Sequence, residues 1–120
     1  MKLLIADDSK AMRLVIGHML RQAGFKGHDI VEAADGTEAY DVIHKEDPEL
    51  IISDWNMPGM TGIEVLEKIR SEGIDTTFGF VTTEVSQEMR ALAEGAGAAF
   101  LIGKPFTPDD FERALDEYLG

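Results

Sequence analysis

Four short apolar runs, each ending abruptly in a residue that carries chemistry, constrain what this chain can fold into. Leu3-Leu4-Ile5-Ala6 leads into Asp7-Asp8, and Leu50-Ile51-Ile52-Ser53 into Asp54. Phe78-Gly79-Phe80-Val81 ends in Thr82-Thr83, and Phe100-Leu101-Ile102-Gly103 in Lys104-Pro105. Runs of this length, bounded by turn residues such as Pro58-Gly59, read as strands buried on both faces. His28 to Ala33 reads as one more strand. Helical spacing fills the intervals. Met12, Val15, Ile16, Met19 and Leu20 form one stripe, closed by Gly24, and Asp35-Gly36-Thr37-Glu38 opens a second helix with Ala39, Val42 and Ile43 on one face. Thr61-Gly62-Ile63-Glu64 fits a capping box ahead of Val65, Leu66 and Ile69. Ser86 caps a fourth helix with a weaker stripe of Met89, Leu92, Ala93 and Ala96. Thr107 and Pro108 start a fifth, with Phe111, Ala114, Leu115, Tyr118 and Leu119 inward.

Strands that alternate with helices imply a parallel α/β sheet covered on both faces, because parallel strands need crossover connections. Right-handed crossovers limit the topologies without choosing one; the doubly wound order 2-1-3-4-5 would set the first and third strands side by side. Asp7, Asp8 and Asp54 then meet at the carboxyl edge, where open α/β sheets hold their sites.

At 120 residues the chain is expected to be one domain, residues 1–120, with no linker or repeat. It has no cysteine, which excludes disulfides and thiolate metal sites. No apolar run approaches the roughly 20 residues that span a bilayer. The N-terminus does not resemble a signal peptide, so the expected location is the cytoplasm. A net charge of -12 argues against nucleic acid as a partner.

Taken singly, each polar residue has a plain explanation. Asp7-Asp8-Ser9 can cap a helix, Asp54 can belong to a turn, Thr82 can end a strand, and Lys104 can lie on the surface. Together, three clustered carboxylates are costly unless a cation neutralises them or one takes a proton. Mg²⁺, a hard ion bound by oxygen, meets that need, and the backbone carbonyl of Asn56 can add a ligand. A carboxylate can also act as a nucleophile toward phosphorus, with Lys104 and the Thr82 hydroxyl stabilising the transferring group. A cis Lys104–Pro105 bond would aim the lysine into the site.

Asp7-Asp8, Asp54, Thr82 and Lys104-Pro105-Phe106 together resemble the receiver domain of two-component response regulators. Ser53-Asp54-Trp55-Asn56-Met57-Pro58 resembles the stand-alone chemotaxis regulators of that family. The resemblance spans Leu3 to Leu119 and implies a flavodoxin-like sheet of order 2-1-3-4-5 with five helices. It implies Asp54 as phosphoacceptor and Asp7, Asp8, Asp54 and the Asn56 carbonyl as Mg²⁺ ligands. Thr82 then senses the phosphoryl group, Lys104 pairs with it, and Asn56 and Glu84 tune its hydrolysis. Implied partners are a histidine kinase and an output protein such as the flagellar motor switch, with the receiver itself a monomer and not an enzyme. No DNA-binding output domain follows, which fits a stand-alone messenger.

Two positions depart from the family's pattern. Leu101 stands where the family usually has an aromatic switch residue, and Phe100 beside it must face the opposite side of the sheet. Thr83 replaces the more usual alanine and narrows access to the site. Gly79 and Gly103, inside strands, imply a bulge or a close backbone approach. A small-molecule phosphatase or phosphotransferase with an aspartate nucleophile is the alternative, although its haloacid dehalogenase-like form expects an acid where Asn56 stands. A flavin carrier of similar fold is disfavoured, since Asp7-Asp8 would repel its phosphate.

Overall fold

The strands form as the apolar runs predict. A computed structural model describes residues 2–24, 29–104 and 106–119, with 115–119 as backbone only. Strands β1 (Lys2–Ala6), β2 (Asp29–Ala33), β3 (Leu50–Ser53), β4 (Thr77–Thr82) and β5 (Phe100–Gly103) alternate with helices α1 (Lys10–Gln22), α2 (Gly36–Glu46), α3 (Gly62–Ser71), α4 (Gln87–Gly95) and α5 (Pro108–Leu119). All pairings are parallel and the order is β2-β1-β3-β4-β5. His28, the Lys104–Pro105 bond and the facing of Leu115, Tyr118 and Leu119 lie outside the described residues.

Strand side chains alternate between two cores. Leu4, Ala6, Ile51, Phe78 and Phe80 pack under α2, α3 and α4, while Leu3, Ile5, Leu50, Ile52 and Val81 pack under α1 and α5. Apart from Ala6, each of these side chains contributes about 1.5–3 kcal/mol by leaving water. The edge strand β2 exposes Asp29 and Glu32, charges that discourage pairing with another chain. The expected caps form: Ser9, Asp35, Thr61 and Ser86 each accept a backbone N–H, and Thr61 with Glu64 completes the capping box. Thr107 and Asp110 bond reciprocally at the start of α5.

Two helical stripes differ from expectation. Val15 is 41% exposed and Leu92 is 51% exposed. On α4 only Ala93 is fully buried, with Met89 and Ala96 half-buried beside it. Both residues fit a 3.6-residue spacing, but they fall at the border of the stripe, beyond the reach of the sheet.

Gly79 stays in continuous register with Phe100, so no bulge forms. A Cβ there would overlap the Phe100 ring, which occupies the space that glycine leaves open.

A polar clasp joins α2 to the end of α3. His44 Nδ1 lies 2.8 Å from the Tyr40 carbonyl oxygen and Nε2 lies 2.7 Å from Glu72 Oε1. Both partners accept, so the protonated ring satisfies both contacts at once and the neutral ring only one. The Tyr40 hydroxyl donates to the other Glu72 oxygen, and Lys68 Nζ stands 4.4 Å from the centre of the Tyr40 ring. The bond to the Tyr40 carbonyl, then that to Glu72, raises His44 above its ordinary 6.5. The clasp is therefore fully present below the unfolded value and is lost as pH rises through the raised folded value. The groups are partly exposed, so the effect is small. The parent should melt roughly 1–3 °C above His44→Gln at about pH 5.5 and by a smaller margin at about pH 9. An equal gap at both values would contradict the clasp.

Candidate functional site

The chemistry-bearing residues stand at the carboxyl edge, three of them one step past a strand and still held by its ladder. Asp7 N–H donates to the Ala33 carbonyl at 3.1 Å, Asp54 N–H to Ala6 at 2.8 Å, and Lys104 N–H to Thr82 at 2.8 Å. Thr82 is itself the last residue of β4. Their backbones are thus fixed by the most ordered part of the fold, and their side chains point beyond it.

One carboxylate oxygen from each of Asp7, Asp8 and Asp54 lies within 4.8 Å of the others. Lys104 Nζ donates to Asp7 Oδ2 at 3.0 Å and to Asp54 Oδ2 at 3.3 Å. The lysine side chain is only 10% exposed, which rules out an ordinary surface role. Three carboxylates face one ammonium, so negative charge remains in excess. Asp54 Oδ1 also accepts the Trp55 N–H at 2.7 Å. Asp7 is buried, while the Asp8 side chain is exposed and takes no part in the α1 cap, which Ser9 supplies. All these donors are oxygen, without sulfur or imidazole, and such a set fits a hard divalent cation such as Mg²⁺.

Thr82 adds a different observation. Its side chain is fully buried, and its Oγ1 has no hydrogen-bond partner among the described residues. A buried hydroxyl left unpaired costs about 1–3 kcal/mol. Thr83, Glu84 and Asn56 are exposed around the same edge. Leu101 packs toward the core under α2, α3 and α4, and Phe100 packs toward α1 and α5, so the aromatic does face away from the expected switch position.

Gly62 went unrecognised in the sequence beyond its place in the capping box. It donates to the Trp55 carbonyl at 2.7 Å, and a Cβ there would overlap the Asp54 carbonyl oxygen. The available signal was a glycine in a first helical turn, where it is unfavourable by about 1 kcal/mol without a packing reason.

The model of the response regulator receiver domain matches residues 3–116. This chain belongs to that family. The receiver domain is 42% identical to a chemotaxis protein CheY homolog of Campylobacter jejuni, with 100% of this chain and 93% of that protein covered. It is 37% identical to chemotaxis protein CheY1 of Helicobacter pylori, covering 100% and 98%. Vibrio cholerae CheY4 has the same fold at a TM-score of 0.84 and 36% identity, with 98% of each chain covered. The receiver domain is a phosphorylation-controlled signalling module homologous to chemotaxis regulators, and the small-molecule phosphatase alternative is not favoured. Among the described residues, no helix is long and apolar enough to cross a membrane.

Proposed function

We propose that this receiver acts as a messenger in chemotaxis, taking a phosphoryl group from a histidine kinase onto Asp54. The observation that carries the reading is the meeting of Asp54, two further carboxylates, Lys104 and an unpartnered Thr82 hydroxyl at one sheet edge. An Asp54 carboxylate oxygen attacks phosphorus, the bond from phosphorus to the donor breaks, and an acyl phosphate remains. Asp7, Asp8, Asp54 and the Asn56 carbonyl would hold Mg²⁺, which when bound screens the charge between the carboxylate and the phosphoryl oxygens. Lys104 leaves Asp54 to pair with a phosphoryl oxygen. Thr82 donates to another and gains the partner it lacks.

The same contact supplies the switch. Satisfying a buried hydroxyl is worth about 1–3 kcal/mol, enough to bias two conformations roughly 5–150-fold. Thr82 and Lys104 close β4 and β5, so their movement disturbs the surface made by α4, β5 and α5. Leu101 borders two grooves on that surface, one of about 310 Å³ against α4 and another of about 380 Å³ against α5. An output protein, the flagellar motor switch in the chemotaxis reading, reads that change by preferring one state. Leu101 has less bulk than an aromatic, so the side-chain rearrangement is small. Thr83 crowds the water that removes the phosphoryl group, with Asn56 and Glu84 setting its approach.

Acetyl phosphate with Mg²⁺ should add one labile phosphoryl group by intact mass, and removal of the metal should stop the reaction. Amide NMR shifts with a phosphoryl mimic should then spread through residues 84–106. No labelling would reject the function, and shifts confined to the neighbourhood of Asp54 would reject this output surface.

Metal binding has its own readout. Trp55, the only tryptophan, is buried against Phe80 with ring centres 4.8 Å apart, and its backbone N–H donates to Asp54 Oδ1. Its fluorescence should respond to Mg²⁺, and Asp8→Ala should raise the titration midpoint about tenfold or more by removing an oxygen ligand. An unchanged midpoint would leave Asp8 without a metal role.

A further inference from the structure

Arg13 lies near the start of α1 and reaches back over the loop that follows β1. Its Nη1 donates to the Asp7 carbonyl oxygen at 2.6 Å, and its Nε donates to Glu32 Oε1 on β2 at 2.8 Å. The arginine side chain is only 13% exposed, against 46% for Glu32. The bond to the carbonyl completes the restraint of Asp7. Its N–H is held by Ala33, Oδ1 accepts from the Ser9 N–H at 2.9 Å, and Oδ2 is held by Lys104.

The consequence falls on the next residue. A peptide unit is planar, so fixing the Asp7 carbonyl fixes the whole Asp7–Asp8 plane and with it the position of the Asp8 Cα. Asp8 is exposed and the cap belongs to Ser9, so neither burial nor a cap bond of its own anchors that position. We propose that Arg13 is a positioning residue for the cation site: held by Glu32, it locks the Asp7–Asp8 peptide and so holds Asp8 in place beside Asp7 and Asp54. This rests on the reading of that cluster as a metal site.

The guanidinium also acts in the opposite direction, since a positive charge near the cluster repels a cation. The pairing with Glu32 offsets that charge, so the geometric effect wins. The two effects predict opposite signs. Removing a purely repulsive charge tightens Mg²⁺ binding, and removing a brace weakens it.

Calorimetric Mg²⁺ titration of the full chain, with a thermal melt on each sample, separates these outcomes. The parent must bind Mg²⁺, and if it does not, the metal-site reading itself fails. Given binding, Arg13→Met should weaken it about tenfold. Arg13→Lys keeps the charge and one donor, and should recover part of the loss. Binding that is equal or tighter in Arg13→Met overturns the proposal, as does a lower melting temperature with unchanged affinity. Should Arg13→Met fail to fold, Arg13→Lys carries the test by itself, because it keeps the positive charge and gives up one of the two donors. A weakening smaller than tenfold is expected there, and unchanged affinity overturns the inference.

Discussion

Asp54→Asn will abolish phosphoryl transfer to this protein while leaving it folded. The amide is a poor nucleophile toward phosphorus, and no other carboxylate of the cluster is placed like Asp54. Asp7 is buried and held by Ser9 and Lys104, and Asp8 is exposed at the rim. Intact mass after incubation with acetyl phosphate and Mg²⁺ should show one added group on the parent and none on the variant. Equal labelling would move the acceptor elsewhere. The fold should not suffer: the amide oxygen still accepts one of the two N–H groups that Asp54 holds, from Trp55 or from Lys104, and one of three clustered negative charges is gone. Without metal, the variant should melt at or above the parent's temperature.

Gly62→Ala will lower stability sharply, against what helix propensity alone implies. Alanine in place of glycine stabilises an exposed helix interior by about 1 kcal/mol. Here the added Cβ would overlap the Asp54 carbonyl oxygen and stand 2.8 Å from Phe80 Cε1. The clash is with backbone, so relief requires moving either the start of α3 or the segment that carries Asp54. A loss of about 2–4 kcal/mol, or a melting temperature roughly 10 °C lower, is expected. The labelling rate should fall as well, because the displaced backbone is that of the nucleophile. A variant as stable as the parent would show that the α3 junction yields easily, and would remove Gly62 from the account of the site.

Much of this fold was legible because its signals are local. Apolar runs of strand length, Ser86 and Thr107 as caps, and the Thr61–Glu64 box each depend on residues a few positions apart, and the alternation of strand and helix leaves a parallel sheet as the consistent outcome. Given that sheet, Asp7, Asp8, Asp54, Thr82 and Lys104 had to share an edge. The parts that resisted depend on distances between segments far apart in sequence. Val15 and Leu92 have the spacing of core residues, but how far the sheet reaches under a helix border decides their burial. The Phe100 ring over Gly79, the backbone of Asp54 against Gly62, the His44–Glu72 clasp and the brace from Arg13 to Asp7 have no periodicity to betray them. Local propensity and patterning determined which elements form and which residues their ends deliver. Only the packed structure decided that Thr82 keeps a hydroxyl unpaired among the described residues and that Lys104 bonds two of the acids, because burial and hydrogen-bond satisfaction are properties of the assembled neighbourhood.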